Sequence, residues 1–402
     1  MTHRGGRHFL QVPGPTNIPD RILRALNKPP IDHRGPEFFA FARELIESMR
    51  RIFRTKDKLA IFPGSGTGAW EAAIVNTLSP GDRVLMFETG QFGTLWRDMA
   101  LRFGLDVDFV PGDWRHAIDV ATAESKLAED RGRRIKAVMA VHNETSTGVV
   151  SRIADIRRAM DRVSHPALLM VDAVSSLGAM DYRHDEWAVD VSVAGSQKGL
   201  MLPPGMGLNA ISAKAIAASR DAKFPRSFWD WGPYIAANDT GSFPYTPPVT
   251  LMFGLRETIA VLEDEGLENV FARHLRLAEA TRRAVRGWGL EVLALDDREA
   301  SPVVTAVLAP TGFDGDAIRK VILDGFDMSL GAGLGKVKGK VFRIGHIGYI
   351  NELSLAGALC GVEMGLDLAG VPCQRGGVLA ALDFLAGGEA AAGNRAKKAA
   401  SA

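Results

Sequence analysis

Apolar residues recur along this chain at two periods, and the periods alternate. Phe38, Phe41, Leu45, Ile46, Met49, Ile52 and Phe53 fall three and four apart with charges between them, which predicts a helix over 38–53. Next comes the short apolar run Leu59-Ala60-Ile61-Phe62, a glycine-rich turn from Gly64 to Gly68, and a helix pattern from Ala69 to Leu78. Strand signals follow at 83–87, 106–110 and 135–141, separated by helix signals at 93–103, 121–130 and 153–163. Two more apolar runs, Ala167 to Val171 and Asp190 to Ala194, lead to Asp172 and Lys198. Near-continuous apolar strands between amphipathic helices predict an α/β chain whose parallel sheet is covered on both faces.

The pattern stops from Phe224 to Val249, where Pro, Gly and aromatic residues cluster; this predicts a long functional loop. Long helices are expected at 251–265 and 267–288. A smaller α/β unit follows, with strands at 303–308 and 341–344 and helices at 314–323 and 352–368. Near the start, 19–26 suits a short helix, and Gly331-Ala332-Gly333-Leu334-Gly335 reads as a flexible loop. The organisation expected is a large domain over 20–265, a small domain built from 1–19 and 266–386, and a disordered tail over 387–402, which has no large apolar residue.

Composition narrows the classes. At 402 residues there is room for two full cores, and 46% hydrophobic with 24% charged residues is ordinary for a globular protein. A net charge of +1 gives no electrostatic case for nucleic acid or an anionic membrane. Cys360 and Cys373 are the two cysteines, which argues against a disulfide framework, and neither has metal-ligand spacing. No apolar leader and no span-length apolar stretch is evident, so the expectation is a soluble, cytoplasmic protein.

Three stretches could carry chemistry. Gly64-Ser65-Gly66-Thr67-Gly68-Ala69 lies between a strand and a helix, where small residues and a helix N-terminus favour a phosphate. Read strictly it is G-x-G-x-x-A, and Glu88 follows near the end of the next strand, so an NAD-dependent oxidoreductase is a rival. His142-Asn143-Glu144-Thr145-Ser146-Thr147-Gly148 follows a strand directly and is dense in hydrogen-bonding groups. Arg343 stands within the apolar strand 341–344, where its guanidinium must meet an anion, internal or bound. The acid at one strand end and the lysine just after the next, Asp172 and Lys198, suit pyridoxal phosphate (PLP). There the lysine amine condenses with the aldehyde and the carboxylate pairs with the ring nitrogen. The histidines have no metal spacing, so no metal is expected.

Taken in order, these stretches resemble the class V aminotransferases of PLP fold type I, in their serine–glyoxylate and alanine–glyoxylate branch. The carrying residues include Gly66-Thr67-Gly68-Ala69-Trp70-Glu71, Gly90-Gln91-Phe92, His142-Asn143-Glu144-Thr145, Val171-Asp172-Ala173-Val174-Ser175-Ser176, Gly195-Ser196-Gln197-Lys198, Tyr245-Thr246-Pro247 and Lys340-Val341-Phe342-Arg343-Ile344-Gly345-His346. The resemblance implies a mainly parallel seven-stranded sheet in the large domain. It implies that Lys198 holds PLP and shuttles a proton, and that Asp172 pairs with the ring nitrogen. Thr67, Gly68, Ala69 and Gln197 would hold the phosphate, with Thr246 reaching in from the partner of a homodimer, a tetramer being the alternative assembly. Phe92 would stack on the ring, Thr145 and His142 would contact its polar edge, and Arg343 would bind the substrate carboxylate. The activity implied is transfer of an amino group from L-serine to glyoxylate, with alanine–glyoxylate or serine–pyruvate transfer as the alternatives in the same fold.

Overall fold

A computed structural model describes residues 5–387. The expected disorder of the tail concerns residues that, apart from Gly387, lie outside this range. Thirteen strands form in it: β1 (Phe9–Gln11), β2 (Lys58–Gly64), β3 (Arg83–Phe87), β4 (Asp106–Val110), β5 (Ile135–Val141), β6 (Asn143–Glu144), β7 (Val149–Val150), β8 (Leu168–Asp172), β9 (Val191–Gly195), β10 (Gly205–Ile211), β11 (Val304–Leu308), β12 (Met328–Ala332) and β13 (Val341–Gly345). Seven of them make one sheet in the order β2-β10-β9-β8-β5-β3-β4. Every pairing is parallel except those of β10, which runs antiparallel to both β2 and β9. This is the mainly parallel sheet of PLP fold type I.

The apolar runs of the inner strands are continuous because these strands are buried on both faces. On β2, Leu59 and Ile61 enter one core while Ala60 and Phe62 enter the other. Val138 and Ala140 of β5 go with the first, and Ala137 and Met139 with the second. The Pro36–Phe53 helix packs eight buried residues, Phe38 to Phe53, into the first core. A separate four-stranded sheet, β1-β12-β13-β11, has its own core around Trp288, Val307, Ile322, Phe342 and Leu359. Among the described residues no helix is long and apolar enough to cross a membrane.

Two expectations from the sequence are corrected. The stretch from Phe224 to Val249 is not all loop: Trp231–Thr240 is a helix, capped by Asp230 and stopped by Gly241 at a φ of 76°. Its buried residues, Trp231, Tyr234, Ala237 and Asn238, do keep helical spacing, but Pro233 and the flanking aromatics hide it. Pro233 is tolerated because it lies in the first turn. Gly331 and Ala332 end β12 rather than belonging to a flexible loop, and Gly331 is needed because a Cβ there would come within 2.8 Å of Pro13. The Gly377–Leu385 helix, folded against the Leu267–Gly287 helix, was not foreseen.

Candidate active site

The site lies beyond the carboxyl ends of the parallel strands, where open α/β sheets bind ligands. Asp172 is the last residue of β8, paired in register with Val141 of β5 and Val193 of β9. Lys198 follows β9 by one tight turn, in which Ser196 Oγ donates to Pro203 O and accepts from Met206 N. The two side chains therefore meet at neighbouring strand ends, in a cavity of about 220 Å³ that both of them line. Thr67, Trp70, Phe92, Asn143, Thr145 and Gln197 line it too. A larger cleft near Arg7, Asp264 and Tyr349, about 770 Å³, gathers no comparable set of groups.

Burial dominates the electrostatics. It pushes the Asp172 carboxyl up to about 7, against hydrogen bonds from Val174 N at 2.7 Å and Trp70 Nε1 at 3.1 Å. It pushes the Lys198 amine down to about 8, helped by the charge of Arg343 and opposed by that of Asp172. Lys198 Nζ donates to Pro13 O at 2.6 Å. The N-terminal segment is fastened there by Thr16, whose N donates to Gln197 O and whose Oγ1 donates to Lys198 O. Gly14 allows this approach, since a Cβ there would sit 2.7 Å from Nζ.

Phe92 is held through its backbone. Glu144, wholly buried, accepts from Phe92 N at 3.1 Å, Gly93 N at 3.0 Å, Ser146 N at 3.1 Å and Ser146 Oγ at 2.6 Å. It thus caps the Gln91–Arg102 helix, whose own cap residue, Gly90, has no side chain to do so. Burial pushes the Glu144 carboxyl up, against these bonds. Thr145, next in sequence, lines the cavity and gives its carbonyl to Arg343 Nη1 at 2.6 Å. Arg343 Nε donates to Ala332 O at 2.7 Å. No carboxylate lies within ion-pair distance of Arg343 among the described residues. Two backbone carbonyls take the direct contacts in place of the expected anion, and the Glu144 carboxyl acts on Arg343 only through its field.

Four other expected residues, Gly68, Ala69, His142 and Thr246, do not line the cavity, whereas Thr67 does. Thr67 stands on the cavity wall, in the first turn of the Gly66–Thr77 helix, which Ser65 caps. Gly68 and Ala69 lie in the same turn but behind the wall: Gly68 faces Trp229, and Ala69 is fully buried with its carbonyl bonded to Asn209. His142 packs between the rings of Tyr182 and Trp187, away from the cavity lining, and burial pushes it down to about 4. Thr246 is exposed between two helices and does not line this chain's cavity. Glu88, the acid of the dinucleotide reading, is already engaged by Trp114 Nε1 and Lys336. The contacts of Pro13 and Trp70 were not foreseen, although Trp70 belongs to the motif beginning at Gly66.

The donors fit a ligand with a phosphate, an aldehyde and a basic ring nitrogen. The helix N-terminus at Thr67 favours the phosphate, the Lys198 amine the aldehyde and the Asp172 carboxylate the nitrogen. Two cavity residues carry buried polar atoms without a hydrogen-bond partner among the described residues, Gln197 Oε1 and Asn143 Oδ1, which is expected where a polar ligand completes the site.

Comparisons with known proteins agree with this geometry. Residues 8–325 match the family Aminotransferase class-V. The chain is 49% identical over 391 residues to the serine–glyoxylate aminotransferase of Methylorubrum extorquens, covering 96% of this chain and 97% of that protein. It is 46% identical over 371 residues to the L-aspartate–glyoxylate aminotransferase of Paracoccus denitrificans, covering 92% and 94%. The crystal structure of pyridoxamine–pyruvate aminotransferase from Mesorhizobium loti superimposes with a TM-score of 0.90 at 29% identity, covering 95% of this chain and 97% of that one. The match to the family over most of the chain, a fold of the same type and a lysine–aspartate pair at the sheet's carboxyl edge lead to one conclusion: the chain belongs to the class-V aminotransferases.

Proposed function

We propose that this aminotransferase moves the amino group of L-serine to glyoxylate, giving hydroxypyruvate and glycine. The observation that carries the chemistry is the buried pair of Lys198 and Asp172 facing one cavity. The near-full-length likeness to a serine–glyoxylate enzyme supports the choice of substrates. Pyridoxal phosphate, held there by these residues, would supply an electron sink and a carrier for the amino group.

The chain's own residues supply the rest. Lys198, with its amine brought down to about 8, is partly neutral near pH 7 and can take the proton from the substrate's Cα. Asp172, as the anion, would hold a proton on the cofactor's ring nitrogen. Thr67 and Gln197 would hold the phosphate, together with the backbone of Gly68 and Ala69. Phe92 would lie against the ring and Thr145 at its polar edge. His142, off the cavity lining, keeps a packing role behind them. Arg343 would bind the substrate carboxylate. Its strand holds the guanidinium still, and Nη2 makes no hydrogen bond among the described residues, so a charge-assisted contact is available to a ligand.

The same reading includes a homodimer with shared sites. Thr246 is exposed on a segment whose Tyr245 stacks on Phe228, centroids 5.3 Å apart, so the segment is stiff and outward-facing. It would complete the phosphate site of the partner. Mixing Lys198→Ala with Thr246→Asp should restore one working site per heterodimer. No recovery after verified subunit exchange would count against sharing.

The activity is tested by its halves. L-serine alone should convert the visible spectrum of the PLP-loaded protein, with hydroxypyruvate released, and glyoxylate should restore it with release of glycine. L-alanine and L-aspartate, the latter named in a 46% identical relative, are assayed beside serine. A spectrum that responds to aspartate and not to serine would overturn the choice of donor.

A further inference from the structure

Trp70 is buried at the start of the second turn of the Gly66–Thr77 helix, with 3% of its surface exposed. Its Nε1–H donates to Asp172 Oδ2 at 3.1 Å. The indole cannot turn away. Trp96 stacks on it with centroids 5.6 Å apart and planes 13° apart, and Phe92 meets it edge-on at 6.5 Å. Both of these rings come from the Gln91–Arg102 helix. The other carboxylate oxygen, Oδ1, accepts from Val174 N within Asp172's own turn. Each oxygen thus has one fixed protein donor and keeps a lone pair for another. One donor is local and the other comes from a different helix, so together they fix the plane of the carboxylate.

We infer that Trp70 is a positioning residue whose indole N–H sets the orientation of the Asp172 carboxylate and keeps it ionised to pair with the cofactor's ring nitrogen. This rests on the role proposed for Asp172 above. The bond matters at this position because the carboxyl is fully enclosed and burial favours its protonated form. Losing one hydrogen bond to a buried charged group shifts its pKa by about one to two units. At Asp172, where the carboxyl already stands at about 7, such a shift moves it from about half ionised to largely neutral at neutral pH. A neutral carboxyl would be a poor partner for a protonated ring nitrogen.

The alternative is that Trp70 only fills space, and Trp96 supplies the contrast. Trp96 is as deeply buried and belongs to the same stacked pair, but its Nε1 has no hydrogen-bond partner among the described residues. Trp70→Phe and Trp96→Phe remove similar apolar volume, and only the first removes a donor to Asp172.

The test follows the Asp172 carboxyl by difference infrared spectroscopy of the full-length protein before cofactor is loaded. Asp172→Asn identifies the band. Trp70→Phe should raise the midpoint of its titration by about one to two pH units, and Trp96→Phe should leave it nearly where it is. After loading, Trp70→Phe should lower kcat by about 10- to 100-fold, the same shift read as a rate, with PLP content unchanged. Benzothienylalanine at position 70 keeps the shape of the indole with sulfur in place of N–H. It should reproduce the Trp70→Phe shift even where the phenyl variant folds poorly. Equal midpoints in all these proteins would overturn the inference, and so would a shifted midpoint with unchanged kcat. A wild-type protein that transfers no amino group from any donor, yet shows the shift, would overturn the functional reading instead and leave the hydrogen bond standing.

Discussion

Lys198 and Arg343 are both buried cations, and the two sheets hold them by different means. Lys198 sits on a turn at the edge of the seven-stranded sheet, with Asp172 facing the same cavity. Arg343 sits inside β13 of the four-stranded sheet, with two carbonyls and no carboxylate. Burial depresses both, the lysine to about 8 and the arginine to about 10. The consequence differs. The lysine can shed its proton near neutral pH and become a nucleophile and base, whereas the arginine stays charged and needs an anion. One region is arranged to change protonation state, and the other to keep its charge for a ligand.

The comparison can be broken at either end. Removing the amine has the largest expected effect: Lys198→Ala should lower turnover by about 10⁴-fold or more. Lys198→Arg should not restore it, because a guanidinium cannot give up its proton at neutral pH. Steady-state assays on purified, PLP-incubated protein decide this, and substantial activity in Lys198→Arg would break the distinction.

Arg343→Lys comes next. Losing a charge-assisted contact in a closed site costs about 2–5 kcal/mol, roughly 30- to several-thousand-fold in kcat/KM. Serine and glyoxylate should suffer alike, because a planar carboxylate is common to both, while PLP content stays close to normal. A variant that loses PLP, yet keeps normal kcat/KM in the fraction that retains it, would make Arg343 a structural residue.

The protonation contrast is also visible in pH. An amine lowered to about 8 gains its neutral fraction as pH rises through 8, not through the 10.5 of a free lysine. Below that midpoint, capture of PLP by cofactor-free protein should therefore speed up about tenfold per pH unit, then level off above it. Stopped-flow absorbance gives the profile, and a rate still climbing steeply at pH 9.5 would contradict it.

The smallest effect is at the link between the regions. Glu144 holds the amides of the Phe92 helix, and Thr145 beside it gives Arg343 its carbonyl. Glu144→Gln keeps one acceptor oxygen, so it should cost about 1–3 kcal/mol of stability in denaturant unfolding. Its effect on kcat should stay within roughly tenfold. An unchanged unfolding midpoint would show that the cap does not matter.

How much of this was legible in the sequence follows from where each signal resides. β3 and β5 were readable to the residue because strands buried on both faces are nearly all apolar and end at turn residues, and β4, a half-exposed edge strand, still shows as Val107, Phe109 and Val110 around Asp108. Asp172 and Lys198 were readable because each stands at such an end. β12 was not, since Gly331 within it is dictated by Pro13 of a distant segment, and glycine otherwise signals a loop. The Trp231–Thr240 helix was hidden by its proline. The partners of Arg343 are main-chain carbonyls, which no residue identity reveals. The bond from Trp70 to Asp172 joins two motifs that were each visible, but only the fold brings them together.

The central claim is that Lys198 is the residue on which the chemistry turns. Borohydride reduction of the PLP-loaded protein, followed by proteolysis and mass spectrometry, locates the lysine joined to the cofactor. The account predicts a single pyridoxyl-modified peptide containing Lys198, and none after Lys198→Ala. A modified peptide built on any other lysine, with Lys198 left free, would contradict it.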